Sequence, residues 1–176
     1  MRGSLSVYLI LLAASTAHAF CYEQAGAEYG LAPEILQSIS STESGNKPYA
    51  VHYNSDGTFD VGLMQINSSW EKSVGKELWS RLFDPCTNVR MGAWILARCV
   101  KRYGYGWKAV GCYHSSTPSK RDGYAKKVAH ALVRNREKRE VTPANAGDML
   151  LFSAATLKAE ETTPWDTVFT PVDHVR

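Results

Sequence analysis

Apolar side chains recur every three or four residues through most of the chain between residues 33 and 132. This spacing places them on one face of an α-helix, which can be buried while the opposite face stays in water. The stripes are Leu36 and Ile39; Trp70, Val74, Leu78 and Leu82; Val89, Ala93, Leu96, Val100 and Tyr103; Val110 and Tyr113; and Tyr124, Val128 and Leu132. We therefore predict a mainly α domain whose last helix ends near Arg139.

Residues 1–19 differ from this pattern. They begin with basic Arg2, continue with an apolar run from Leu5 to Ala14 and end with Ala17-His18-Ala19. This order is typical of a cleavable secretory signal peptide, and an uncleaved anchor is the alternative. The apolar run is shorter than the roughly 20 residues that span a bilayer. We predict a periplasmic or secreted protein with no transmembrane segment after cleavage.

Residues 20–140 have a suitable length for one domain. This part is mildly basic, whereas residues 141–176 are acidic, contain three prolines and lose the apolar periodicity. We predict that residues 141–176 form a flexible acidic tail. Nucleic-acid binding is not predicted, because basic side chains are spread among acidic ones and even the run 134–139 includes Glu137.

The chain has four cysteines, all after the predicted leader: Cys21, Cys86, Cys99 and Cys112. An even number of cysteines in an exported chain predicts disulfides, here two, with three possible pairings. None of the spacings has the CxxC form of a zinc or redox site, so we predict no metal.

Residues 49–60 alternate aromatic and polar side chains around Asn54-Ser55-Asp56-Gly57. Such a pattern predicts a loop or a short irregular hairpin. A calcium loop is disfavoured: with Gly57 as its glycine, the position that needs a glutamate is Leu63.

Glu43 continues the apolar stripe of a helix that starts at Pro33 and should stop at Gly45. A carboxyl group in apolar surroundings keeps its proton to higher pH, because burial disfavours the charged form. Cleaving a glycosidic bond requires such an acid to protonate the leaving oxygen. Glu43 is therefore a candidate general acid, and a helix-end glutamate paired with Lys47 is the alternative.

Glu43-Ser44 is followed by the block Gly62-Leu63-Met64-Gln65-Ile66-Asn67 and later by Ala109-Val110-Gly111-Cys112-Tyr113-His114. Supporting blocks are Asp84-Pro85-Cys86, Gly92-Ala93-Trp94-Ile95-Leu96 and Tyr103-Gly104-Tyr105-Gly106-Trp107. Their order over residues 21–132 resembles the lytic transglycosylase, or soluble-transglycosylase-like, family. The closest resemblance is to its small branch that accompanies type III secretion, conjugative type IV secretion and type IV pilus systems.

The resemblance implies a lysozyme-like, mostly α fold with a glycan cleft and no cofactor. It implies cleavage of the β-1,4 bond between MurNAc and GlcNAc in peptidoglycan, with Glu43 acting first as acid and then as base. The substrate's own N-acetyl group and hydroxyl would complete the reaction and leave a 1,6-anhydroMurNAc end. The biological role would be local opening of the wall for a transport apparatus, whose components are the expected partners.

By the same resemblance, the substrate-binding residues are Ser44, Gly62, Met64, Gln65, Asn67, Tyr113, His114 and Tyr124. Ser44 would orient the acid or the substrate acetamido group, while the amides of Gln65 and Asn67 would offer hydrogen bonds. Gly62 would let the chain approach the sugar, and Met64 would form an apolar wall. Ordinary packing is the alternative for the methionine and for Tyr124.

His114 departs from the family pattern, because the usual Tyr-Asn-Ala-Gly stretch here reads Tyr113-His114-Ser115-Ser116. An imidazole can still form hydrogen bonds, but its titration would make activity depend on pH between about 6 and 7.

Asp60 lies 17 positions after Glu43, an interval similar to that between the catalytic carboxylates of animal lysozymes. If it reaches the cleft, it could act as a second catalytic carboxylate and make the protein a lysozyme-like hydrolase. The alternative is a loop aspartate that caps a turn with Thr58. A third possibility is a non-catalytic wall-binding assembly factor, although such a factor has no need of a desolvated acid.

For the disulfides, relatives often carry a cysteine at the mature start and another in the Asp-Pro-Cys block. The resemblance therefore favours Cys21 with Cys86, which leaves Cys99 to pair with Cys112.

Overall fold

The computed structural model describes residues 21–140, and the predicted leader and tail lie outside them. The described elements are α1 Tyr22–Tyr29, α2 Pro33–Glu43, β1 Val51–Tyr53, β2 Phe59–Val61, β3 Ile66–Asn67, a 3-10 turn Ser68–Trp70, α3 Glu71–Ser80, α4 Pro85–Tyr103, α5 Trp107–His114 and α6 Pro118–Glu140. The mainly α prediction is confirmed. None of the helices in this part of the chain combines the length and the apolar character needed to cross a membrane.

The core lies where α2, α4, α5 and α6 meet. α6 packs against both α2 and α5, and α5 also packs against α4. Leu36, Ile39, Leu96, Val110 and Val128 are almost completely buried there, and burial of each such side chain contributes about 1.5–3 kcal/mol relative to exposure. Because the apolar stripe of α2 is held in this core, the carboxyl-terminal end of α2 is held as well.

The predicted hairpin is confirmed, and a third strand extends it to an antiparallel sheet in the order β1-β2-β3. Asp60 in the middle of β2 pairs with His52 of β1 and Asn67 of β3. In the turn, the Asp56 carboxylate accepts hydrogen bonds from the Thr58 amide and hydroxyl. The sheet register therefore places Asp60 beside an asparagine that the sequence analysis also selected.

The stripe from Trp70 to Leu82 was predicted to form one helix, and this boundary is wrong. Both end residues lie outside α3, and Gly75 inside α3 has a φ of 81°, which interrupts the helix. A glycine adopts this conformation without the steric cost that a side chain would add. Helix α1 was missed because it contains few apolar residues; of its side chains, Tyr22 and Ala25 are buried.

Both disulfides have the predicted pairing. Cys21–Cys86 joins the residue before α1 to the first turn of α4, with 5.3 Å between Cα atoms. Cys99–Cys112 joins α4 to α5, with 5.8 Å between Cα atoms. The second bridge adjoins Tyr113, and it therefore fixes that tyrosine's helix against α4.

Asn88 of α4 is completely buried and holds the segment that follows β2. Its Oδ1 accepts a hydrogen bond from the Met64 amide at 2.8 Å, and its Nδ2 donates to the Val61 and Leu82 carbonyls at 3.0 and 2.9 Å. Gly62 packs directly on this side chain: a Cβ at that position would lie 2.2 Å from Nδ2 of Asn88. This contact leaves no room for a side chain at position 62, so the first residue of the Gly62–Asn67 block must be a glycine.

Candidate functional site

An open groove of about 1370 Å³ runs between the β-sheet on one side and helices α4 and α5 on the other. Glu43, at the end of α2, lies in its wall. Of the catalytic and substrate-binding residues selected from sequence, those that line the groove are Glu43, Asp60, Gln65, Asn67, Tyr113 and His114. Side chains from distant parts of the chain therefore meet around the carboxyl-terminal end of α2, where the sequence predicted the Glu43 carboxyl group.

Glu43 is a partly buried carboxyl group, and within residues 21–140 its hydrogen-bond partner is Tyr124. The Tyr124 hydroxyl donates a hydrogen bond of 2.5 Å to its Oε1. The pKa of Glu43 is raised to about 7, mainly by burial and also by the negative charge of Asp60, while the Tyr124 hydrogen bond and the charge of Lys127 oppose the rise. Near neutral pH this side chain can both give and take a proton, as acid–base catalysis requires.

Two tyrosines and the histidine form a layer next to Glu43. The Tyr113 hydroxyl donates to the Met64 carbonyl at 2.8 Å, and the Tyr113 and Tyr124 rings are stacked with centroids 6.4 Å apart. The His114 ring stacks on Tyr124 at 5.0 Å. Burial raises the pKa of Tyr124 well above its ordinary value, so its hydroxyl keeps the proton that it donates to Glu43.

His114 has a pKa below its ordinary value of 6.5, first because of burial and then because of the charges of Lys127 and Lys120. Its imidazole is therefore mainly neutral at pH 7. If its titration affects activity, we therefore expect that effect at lower pH than the interval of about 6 to 7 expected from the sequence.

Asp60 is held by two amides. Asn54 Nδ2 donates to its Oδ2 at 3.0 Å, and Asn67 Nδ2 donates to its Oδ1 at 2.7 Å. Thr58, which we considered as a capping partner of Asp60, instead donates to Asp56. Asp60 is thus an oriented carboxylate in the same groove as Glu43.

Other selected residues use their polar groups within the fold. The Ser44 hydroxyl donates to the Leu63 carbonyl at 2.8 Å and so joins the end of α2 to the Gly62–Asn67 block. The Gln65 amide donates to the carbonyls of Gly62 and Ala50 at 2.9 and 3.3 Å. Both side chains brace the backbone around Glu43.

The structure does not bring Gly62 and Met64 to the groove surface. Met64 is completely buried and lies against Gly92, where a Cβ would come within 2.6 Å of its Cε. Tyr124 reaches Glu43 from a smaller neighbouring depression that it shares with Lys127. The residues that sequence reasoning missed are Asn54, Asn88 and Lys127; of these, only Asn54 had a signal, as part of a motif that we interpreted as a turn.

Tyr124→Phe is expected to move the alkaline limb of the pH profile of kcat/KM to higher pH. The lost hydrogen bond favoured ionised Glu43, so its pKa should rise above about 7. An acid that must be protonated then stays competent at higher pH. The measurement is kcat/KM against pH for both proteins, with Tyr103→Phe as the control, since Tyr103 has no contact with Glu43 among the described residues. An unchanged alkaline limb would contradict this role of Tyr124.

Comparison with known proteins agrees with this geometry. The family model described as "Transglycosylase SLT domain" matches residues 20–131. The chain is 41% identical over 135 residues to "Invasion protein IagB" of Salmonella typhimurium (strain SL1344), covering 75% of this chain and 84% of that protein. It is 34% identical over 117 residues to "Protein IpgF" of Shigella sonnei, covering 65% and 77%. It is also 29% identical over 143 residues to a "Peptidoglycan-binding-like protein" of Escherichia coli O157:H7, covering 73% and 86%. The chain therefore belongs to the transglycosylase SLT family.

Proposed function

We propose that this protein is a peptidoglycan lytic transglycosylase in which Glu43 acts first as general acid and then as general base. The observation that carries the proposal is a carboxyl group with a pKa of about 7 in the wall of an open groove, in a chain of this family. Residues 21–140 contain no group of three or more His, Cys, Asp or Glu side chains arranged to hold a metal ion. The proposal uses protein and substrate groups throughout.

In the first step, protonated Glu43 gives its proton to the oxygen between MurNAc and GlcNAc, and the bond from that oxygen to C1 of MurNAc breaks. The carbonyl oxygen of the substrate's N-acetyl group bonds to C1 and takes up the positive charge. Burial of Glu43 supports this step, because it keeps the proton available near neutral pH. The Tyr124 hydrogen bond then stabilises the carboxylate that remains.

In the second step, the Glu43 carboxylate takes the proton of the C6 hydroxyl of the same sugar. The C6 oxygen attacks C1, the bond to the N-acetyl oxygen breaks, and a 1,6-anhydroMurNAc end is formed. A pKa near the working pH suits both steps, since one group must first lose and then regain a proton.

A lysozyme-like hydrolase is the second candidate, and the observation that favours it is Asp60. This carboxylate lies in the groove and acts electrostatically on Glu43. With Asn54 and Asn67 holding its two oxygens, Asp60 is oriented either to stabilise positive charge at C1 or to attack it. In our proposal Asp60 only stabilises the charge, and the C6 hydroxyl remains the final nucleophile.

The product of digestion tests the proposal. Purified peptidoglycan is digested with the mature protein and with Asp60→Asn, and the released muropeptides are identified by mass; an anhydro end is one water lighter than a reducing end. We expect anhydro ends from both proteins. Asp60→Asn should be slower by about tenfold, less than the ~100-fold or more typical of a donor bonded directly to the developing charge.

Asp56→Asn is the matched control, because Asp56 is an exposed carboxylate of the same groove. It should leave rate and product unchanged. Reducing ends from the wild type that disappear in Asp60→Asn would identify a hydrolase. Binding without release of any fragment would instead identify a wall-binding assembly factor.

We also propose that the protein is exported and opens the wall locally for a secretion apparatus. The two disulfides support export, because such bonds persist in oxidising compartments. The relative named "Invasion protein IagB" supports a role connected with invasion, and the secretion apparatus is what the family resemblance implies. Service to a conjugation or pilus system remains a prediction from the family resemblance.

A further inference from the structure

Three basic side chains line the groove along one face of α4: Arg98, Lys101 and Arg102, which we call the basic row. Their spacing of three and four residues brings them together on the helix surface. All three are exposed. The groove therefore has a positively charged wall that is separate from Glu43.

Arg98 is held in place by aromatic rings. Its guanidinium carbon lies 4.8 Å from the centroid of the Trp94 ring and 5.6 Å from that of Trp70. The two tryptophans are themselves in edge contact, with centroids 5.4 Å apart. Cation–π contacts of this kind orient a guanidinium in advance, so less freedom is lost when an anion binds.

Within residues 21–140, no member of the basic row forms an ion pair with a carboxylate. Other arginines do: Arg90 pairs with Glu28 at 2.8 Å, and Arg121 pairs with Asp122 at 2.7 Å. Like charges three and four residues apart destabilise a helix. Lys101 and Arg102 lie in the last turn of α4, where the helix dipole stabilises positive charge. Arg98 lies before that turn, so the dipole stabilises its charge less.

The basic row is distinct from the charged groups that act on Glu43. The charged groups that contribute most to the pKa of Glu43 are Asp60 and Lys127. No member of the basic row is among the groups that shift this pKa. The row therefore takes no part in setting the protonation of Glu43 and is available to bind another group of the substrate.

We propose that the basic row binds the free carboxylates of the peptide stems carried by the glycan strand, so that the protein prefers strands that still bear stems. This inference rests on the proposed function and adds a substrate preference to it. The sugar rings of the strand are uncharged, whereas each stem ends in a carboxylate and carries others on its side chains. Charge-assisted hydrogen bonds from arginine to carboxylate are stronger than neutral ones.

The test compares two soluble substrates: uncrosslinked glycan strands with stems, and the same strands after an amidase has removed the stems. Removal leaves one lactyl carboxylate on each MurNAc, so the second substrate is still anionic. For each protein the ratio of kcat/KM on stem-bearing strands to kcat/KM on stripped strands is measured. Lys101→Gln with Arg102→Gln is the main variant, and Arg98→Gln is tested separately.

We expect the double variant to lower this ratio by about tenfold, mainly through KM, since two exposed and therefore individually weak ion pairs are lost. The matched control removes two exposed lysines of α3, Lys72→Gln with Lys76→Gln, which do not line the groove. Its ratio should equal that of the wild type. Added salt should lower the wild-type ratio as well, because the row is exposed.

An unchanged ratio in the double variant would overturn the proposal. An equal loss on both substrates also leaves the ratio unchanged and would assign the contact to the sugars that both strands share. A loss confined to the stripped strands would raise the ratio, overturn the proposal as well and assign the contact to the lactyl carboxylate. The affinities of Glu43→Gln, with and without the two row substitutions, for both kinds of strand are measured alongside. If the wild type cleaves neither substrate, the proposed function fails, and the binding preference still decides the role of the basic row.

Discussion

Glu43→Gln is expected to lower the rate of glycan cleavage by about 10³-fold, within the range of roughly 10²–10⁴-fold for loss of a positioned acid–base group. Glutamine has nearly the same shape and can accept the Tyr124 hydrogen bond, but it has no proton to give to the leaving oxygen. The rate of release of soluble muropeptides from purified peptidoglycan measures the loss.

Glu34→Gln is the matched control, because it makes the same chemical change in the first turn of the same helix. Glu34 does not line the groove and its side chain is 40% exposed, so its rate should stay within about twofold of the wild type. A comparable loss in both variants would mean that the effect is not specific to Glu43. Substantial cleavage by Glu43→Gln would remove this residue from the mechanism.

Glu43→Gln is also expected to change how the stability of the protein depends on pH, which tests the raised pKa of Glu43 independently of activity. The pKa of Glu43 is raised from 4.5 to about 7 in the folded protein. The folded state therefore binds more protons than the unfolded state between these values, and the free energy of unfolding falls as pH rises through that range. Glutamine does not titrate, so Glu43→Gln should raise Tm relative to the wild type more at pH 8 than at pH 4.

Asn88→Ala is expected to lower the free energy of unfolding by about 3–5 kcal/mol. The substitution leaves the Met64 amide and the Val61 and Leu82 carbonyls without their partner, and each unsatisfied buried group costs about 1–3 kcal/mol. It also leaves a cavity beside Gly62, on which the Asn88 side chain packs.

Chemical denaturation measures this effect, with Asn135→Ala as the control. Asn135 is a partly buried asparagine of α6, and within the described part of the chain its side chain makes one hydrogen bond, of 3.4 Å, to Ser38. Its replacement should cost less than about 1 kcal/mol. A similar small loss for Asn88→Ala would show that water or a shifted backbone satisfies the three groups. Cleavage should fall with Asn88→Ala as well, because Met64 also accepts the Tyr113 hydrogen bond beside Glu43.

Much of the fold could be predicted because the signals were local. The stripe that ends at Glu43, with Pro33 before it and Gly45 after it, predicted α2 and the position of its last turn correctly. The long stripe from Val89 to Tyr103 predicted α4 in the same way. Both helices bury a clear apolar face, so their periodicity is visible without any knowledge of their neighbours.

Elements without such a face were missed. α1 is held by Tyr22 and Ala25 and by the Cys21–Cys86 bridge rather than by a long stripe, and β3 has only two residues. The place of Met64 was also ambiguous, because its motif suited both the groove and the core. The contact with Gly92 puts its side chain in the core.

By itself, the sequence determined that the chain is mainly helical, that its four cysteines suit two bridges, and that a carboxyl group ends an apolar helix face. These are properties of neighbouring residues, so spacing is enough to reveal them. Only the tertiary structure decided how that carboxyl titrates and what surrounds it. Tyr124, its hydrogen-bond partner, is 81 positions away in the chain, and Asp60 and the basic row reach the same groove from a strand and another helix. Burial and charge at a site are sums over such distant contacts, and no local pattern of residues contains them.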